Sequence, residues 1–115
     1  MELEAIMYEY RAVVVSVYDG DTIKVDIDLG FGIWKKNETI RLWGIDAPEI
    51  RGEEREAGLK ARDSLRRLIL GEDVIIQTEK DEKGKYGRYI GRVILHGACV
   101  STIMVVRELA EFKEY

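Results

Sequence analysis

Apolar and polar residues alternate through two neighbouring stretches near the start of the chain. Over residues 8–18, Val13, Val15 and Val17 fall on one face, with Arg11, Val14 and Ser16 around the other. That two-residue period predicts a β-strand. Residues 22–29 predict a second strand, with Ile23, Val25, Ile27 and Leu29 inward and Thr22, Lys24, Asp26 and Asp28 outward. Between them, Asp19-Gly20 is a strong hairpin signal, commonly met as a type I′ turn. Asp21 then places a second carboxylate at the start of the second strand, which a turn does not require. The stretch GFGIWKKN (30–37) reads as a wide, glycine-containing connection, and ETIRLWGI (38–45) as a third strand.

The period changes after DAPEIRG. Residues 54–70 predict a helix, with Ala57, Ala61, Leu65, Leu68 and Ile69 at helical spacing and Gly71 where a C-cap glycine belongs. DVIIQTEK (73–80) predicts a fourth strand, DEKGKYG (81–87) a charged turn and RYIGRVIL (88–95) a fifth strand. Val100, Ile103, Met104, Arg107 and Ala110 predict a second, shorter helix. This order predicts an α+β, mainly β fold. It is a five-stranded OB-type Greek-key barrel with a helix between strands three and four and a short C-terminal helix. No repeat, low-complexity tract or linker divides the chain, so residues 1–115 read as a single domain.

Composition narrows the function more than the fold. Hydrophobic residues make up 46% and charged residues 35% of the 115, enough apolar material for one core. The net charge of -4 argues against a broad, sequence-independent phosphate-binding surface and leaves room for a compact one. A single cysteine, Cys99, excludes an internal disulfide. The opening MELEAIMYEY is acidic, no apolar signal region follows it, and no stretch is long enough to span a membrane. The expectation is a cytoplasmic monomer without a membrane partner, with a secreted parent left open.

In a meander of three strands, Asp21 at the start of the second lies beside Asp46 at the end of the third. Asp19 stands next to them and Glu49 three residues further on. Four carboxylates at one barrel end repel one another unless a cation sits among them. Carboxylates with a backbone carbonyl are the hard oxygen ligands that Ca²⁺ or Mg²⁺ takes, and a spare carboxylate could take a proton from water. Arg41, opposite in direction to Ile40 and Leu42, and Arg88, at the start of strand five, offer planar cations suited to phosphate. Each feature alone also has a plain reading as turn, loop entry or strand-edge charge. Arg62, Arg66 and Arg67 read as the wet face of the first helix, available to an approaching polyanion.

Three motifs in order, DGDT (19–22), Arg41 running into IDAPE (45–49), and KYGR (85–88), resemble the thermonuclease (staphylococcal nuclease-like) family. The resemblance covers roughly residues 11–110. It implies a Ca²⁺-dependent phosphodiesterase that acts on DNA and/or RNA and leaves 3′-phosphate ends. By that resemblance Asp21, Asp46 and the main-chain carbonyl of Ala47 would hold Ca²⁺, and Asp19 would act through water. Glu49 would orient or deprotonate the attacking water. Arg41 and Arg88 would hold the phosphate and stabilise the transition state, and Lys85 and Tyr86 would line the nucleotide pocket. Three departures stand out. Ala47 replaces a threonine, the chain is acidic where the prototype is basic, and it stops soon after LAEFKEY, giving a compact form without the final helix. Tyr115 is a partial substitute for the stacking tyrosines. The alternative is a non-catalytic OB-type module that binds nucleic acid or protein. Such a module is expected to lack one of Asp21, Arg41, Asp46, Glu49 or Arg88, and all five are present. A Ca²⁺-binding structural domain would leave both arginines without a role.

Overall fold

The alternation in the first third of the chain folds into three long antiparallel strands. The computed structural model describes residues 7–79 and 88–113. Strands β1 (Met7–Asp19), β2 (Thr22–Gly30) and β3 (Ile33–Leu42) form a meander. A two-residue strand β4 (Ile45–Asp46) and a 3₁₀ turn at Gly52–Glu54 lead into helix α1 (Arg55–Ile69). Strand β5 (Asp73–Glu79) returns beside β1, and β6 (Tyr89–Leu95) lies beside β5. β6 then closes the sheet on β3 in parallel, through Ile40↔Tyr89, Arg41↔Ile90 and Leu42↔Gly91. Short β7 (Ala98–Cys99), helix α2 (Val100–Val106) and β8 (Glu111–Phe112) complete the chain. Five long strands closed in this order form the expected OB-type barrel with its two helices. Among the described residues no helix is long and apolar enough to cross a membrane.

One core serves barrel and helices together. Val14, Ile23, Val25, Ile40, Leu42, Ile76 and Val93 fill the barrel, and Ala61, Leu65, Ile69, Val100 and Met104 join the same cluster from the helices. Each fully buried branched side chain contributes roughly 1.5–3 kcal/mol. Gly71, at φ +82°, ends α1 as predicted and donates its N–H to the Val14 carbonyl at 2.8 Å.

The structure departs from the sequence pattern in five places. In β1 the register slips between Val14 and Ser16 and again between Val17 and Asp19. These bulges put Ala12, Val14 and Val17 in the core and leave Val15 exposed, so the alternation through Val13, Val15 and Val17 does not hold. The expected wide connection is a tight reversal at Phe31-Gly32, because residues 30, 31 and 32 all take positive φ. β3 therefore starts at Ile33. Leu29 lies near the tip of this hairpin and is exposed rather than inward. β3 ends at Leu42, where Trp43 and Gly44 turn the chain, and Ile45–Asp46 pairs with Glu111–Phe112 in a separate two-stranded sheet. In α1, Gly58 rather than Ala57 takes the inward position.

The first turn differs as well. Asp19 pairs with Thr22, so Gly20 and Asp21 are the turn residues and Asp21 is not part of the strand. Gly20 does not have a positive φ, so this is no type I′ turn. Its glycine serves close approach instead: a Cβ there would lie 2.7 Å from that of Ala47 and 2.9 Å from that of Ala61.

Gly58 gives a test of how tightly the loop after β4 sits on α1. A Cβ at this position would collide with the carbonyl of Glu49. Helix propensity alone favours alanine over glycine by about 1 kcal/mol. Backbone that cannot move aside costs roughly 1–3 kcal/mol or more. Net of the propensity gain, Gly58→Ala should be destabilised by up to about 2 kcal/mol in urea unfolding; a more stable variant would show that the loop does not rest on the helix.

Candidate active site

Two chain reversals meet at one end of the barrel, the Gly20-Asp21 turn and the Trp43-Gly44 turn. Asp21 is 6% exposed and its groups are well occupied. Its backbone N–H donates to Asp19 Oδ1 at 3.1 Å, and its carbonyl accepts the Leu42 N–H at 2.8 Å. The Thr22 hydroxyl donates to Oδ1 at 3.1 Å, and the Ala47 N–H donates to Oδ2 at 2.8 Å. The carboxylate thus ties the β1–β2 turn to the chain just beyond β4.

Arg41 lies between two core residues of β3, so alternation sends it to the outside of the barrel. There the 43–47 segment folds over it and leaves it 8% exposed. Nη1 donates to the carbonyls of Leu42 and Ile45, at 3.3 and 3.0 Å, and stands 3.3 Å from Asp21 Oδ2. Nη2 donates to Asp46 Oδ1 at 3.2 Å. A guanidinium has five N–H donors. Among the described residues these contacts use three, leaving Nε–H and one Nη2–H for a ligand.

The other predicted residues surround this pair. Asp46 belongs to β4, not to the end of β3, and its side chain is 57% exposed. Asp19 is half-buried, and its carboxyl is raised to about 6. Burial is the main cause, followed by a hydrogen bond with the Asp21 side chain and the Asp21 charge. The Asp21 N–H and the Thr22 side chain pull the other way. Glu49 is exposed. Its N–H donates to Glu54 Oε1 at 3.1 Å and its carbonyl rests on Gly58, so the peptide is held while the side chain stays free to reach outward. Asp46, Ala47 and Glu49 line a cleft of about 530 Å³ whose far wall is Val105 and Glu108–Glu111. Arg88 is half-buried just before β6, and the β3–β6 register carries its alternation onto the same face as Arg41. Lys85, Tyr86, the charged 81–87 turn and Tyr115 lie outside the described residues.

Asp21, Arg41, Asp46 and Asp19 thus meet at one end, with Glu49 on the adjoining cleft. The four carboxylates do not gather as one cage: among the described residues no three Asp, Glu, His or Cys side chains are placed to hold a metal ion between them. Arg41 stands between Asp21 and Asp46 instead. One guanidinium facing two carboxylates leaves negative charge over, and every donor atom is a hard oxygen. That set fits a divalent cation that keeps several waters and takes only one or two protein carboxylates. Sequence reasoning missed Glu111, which pairs directly opposite Asp46. A two-residue strand carries no periodic signal that could have revealed it.

An OB-type barrel with paired carboxylates bridged by a buried arginine at one end defines the class. The chain belongs to the staphylococcal nuclease homologue family, which it matches over residues 39–115. It is 31% identical to a thermonuclease of Staphylococcus hyicus over 105 residues, covering 89% of this chain and 59% of that protein. It is 39% identical to Protein ParB of Escherichia coli over 85 residues, covering 74% of this chain and 42% of that one. An uncharacterized protein of Methanocaldococcus jannaschii is 30% identical over 110 residues, covering 77% and 50%. The chain spans about half the length of these curated relatives.

The Asp19 environment has a pH consequence. A carboxyl raised to about 6 from an ordinary 3.8 contributes stability that is complete below about pH 4 and is lost as the pH rises through 6. Asp19→Asn keeps a side-chain oxygen for the Asp21 N–H and removes the titration. In chelator the variant should match the parent near pH 4 and exceed it by about 1–2 kcal/mol at pH 8, allowing for solvent screening. A difference in unfolding free energy that stays flat across this range would contradict the assignment.

Proposed function

We propose that the chain carries a Ca²⁺-dependent phosphodiesterase site that hydrolyses DNA and/or RNA by water attack on phosphorus, leaving 3′-phosphate ends. The observation that carries this reading is the buried Arg41, fixed by two carbonyls and two carboxylates with two donors left over. A cation serving only the fold would have no use for that remainder. A phosphodiester presents two non-bridging oxygens at a matching spacing.

Asp21, Asp46 and the Ala47 carbonyl would hold the Ca²⁺, with Asp19 reaching it through water. When bound, the ion would offset the carboxylate charge, lower the pKa of nearby water and draw a phosphate toward the site. Arg41 Nε and Nη2 donate to the phosphate oxygens and match the additional charge that develops at the five-coordinate stage. Arg88, on the same face, gives a second cation and favours departure of the 5′-oxygen. Glu49, on the cleft wall, takes the proton of the attacking water, and its clamped peptide limits where the carboxylate can travel. Lys85 and Tyr86 would border the nucleotide. A non-catalytic binding module has no need of Glu49 in this place.

The deciding experiment is digestion of single-stranded DNA in Ca²⁺ and in chelator, with analysis of the product ends. Fragments with 3′-phosphates should form only with Ca²⁺; digestion in chelator, or 3′-hydroxyl ends, would overturn the mechanism. Glu49→Gln should keep the rise in melting temperature that Ca²⁺ gives, while the rate falls roughly 10²- to 10⁴-fold. Full activity in that variant would remove Glu49 as the base.

A further inference from the structure

Tyr18 is the residue immediately before Asp19, and it faces solvent. Val17 points into the core at 2% exposure, while Tyr18 is 51% exposed at the rim of the carboxylate end. Two arginines from elsewhere in the chain dock on this corner. Arg51 Nη2 donates to the Tyr18 hydroxyl at 3.2 Å, and Arg66 Nη2 donates to the Val17 carbonyl at 3.2 Å. Arg51 follows Glu49 by two residues, and Arg66 comes from α1. A hydrogen bond between two exposed side chains adds little to stability, usually within about 0.5 kcal/mol. The fold therefore gives no strong reason for it.

We propose that Tyr18, Arg51 and Arg66 form a subsite for a nucleotide neighbouring the scissile phosphate, in single-stranded nucleic acid. This rests on the nucleolytic reading for the position of the cut, but the binding itself does not. An exposed ring offers a stacking face to any unstacked base, and the flanking guanidiniums suit the adjoining phosphates. The Arg51 bond holds the ring at the rim, so less freedom is lost on stacking. Charge distribution points the same way. Residues 51–67 hold six cations against four carboxylates, a local positive excess in a chain whose net charge is -4. Of these cations, Arg51 and Arg66 are the two that reach the Tyr18 corner. A paired duplex keeps its bases stacked on one another, so the single strand is the form that the ring can engage.

The test is binding of a fluorescently labelled oligothymidylate in chelator, by anisotropy, to the parent, Tyr18→Ala, Tyr18→Phe, Arg51→Ala and Arg66→Ala. Tyr18→Ala should weaken binding roughly five- to hundredfold, the range for loss of one base stack, and Tyr18→Phe by only about twofold, since it keeps the ring and loses the Arg51 bond. Each arginine variant should lower the slope of log affinity against log salt by about 0.7. On bis(p-nitrophenyl) phosphate, which has no neighbouring nucleotide, Tyr18→Ala should turn over like the parent in Ca²⁺. The subsite is overturned if the parent does not bind the oligonucleotide, or if Tyr18→Ala binds it as the parent does. It is also overturned if the salt slopes are unchanged, or if Tyr18→Ala loses turnover on the small diester equally. Tyrosine-dependent binding by a parent that cuts nothing keeps the subsite and removes the catalytic reading. Cutting of DNA by a parent whose binding ignores Tyr18 does the reverse.

Discussion

The guanidinium of Arg41 joins three pieces of chain through one side chain: β3, the segment of β4 and the first turn. It reaches from β3 to the Ile45 carbonyl, to Asp46 in β4 and to Asp21 in the first turn. Burying a charge costs several kcal/mol even after relaxation, and it is offset only when partners surround it in good geometry. Arg41 has such partners: two carbonyls and two carboxylates. Removing Arg41 itself would leave the equally buried Asp21 carboxylate without its cation, at a cost of about 3–5 kcal/mol. The barrel end is therefore organised before any ligand arrives. Asp21 fixes the Ala47 peptide from the other side, so both carboxylates, the arginine and the Glu49 loop share one frame.

Charge balance at this end reconciles an acidic chain with the proposed phosphate ligand. Asp21 and Asp46 outnumber Arg41, and Asp19 is driven toward its protonated form by burial and by Asp21. On the proposed reading, such an end would take a cation first, and the positive charge added there would then favour a phosphate beside it. Net charge across the whole surface has little influence on that local sequence of events, since exposed charges are screened beyond about 10 Å at moderate salt.

Much of this was legible in the sequence, and the failures have definite causes. β2, β5, β6 and α1 carry clean periods because one face of each is buried, so their limits were read to within a residue or two. The inward face of β1 is not legible, because its two bulges reset the alternation and no composition signal announces them. Nor is the start of β3, because Phe31, a residue with a Cβ, adopts φ +57° in a two-residue turn. The carboxylates and Arg41 were readable as a group, since strand direction alone brings them to one end. Their arrangement was not. That Arg41 would lie between Asp21 and Asp46 depends on the covering segment and on β4 pairing with β8, a contact between residues far apart in the chain.

That last pairing runs against ordinary sheet chemistry. β4 and β8 have two residues each, too short to be stable by themselves, and Asp46 faces Glu111 directly across the pair. Like charges opposite one another are destabilising, yet the strand is kept. The Lys113 N–H donates to the Gly44 carbonyl at 2.7 Å, and Arg41 holds the Ile45 carbonyl from beneath. Burial, and after it the Asp21 side chain, raises the Asp19 carboxyl beside the first turn. These local conflicts gather at one end of a barrel whose core otherwise agrees with its sequence. Charge conflict gathered in one place is the pattern expected of a site rather than of folding. On the proposed reading, a cation that relieved Asp46 would relieve the strand bearing Glu111 as well.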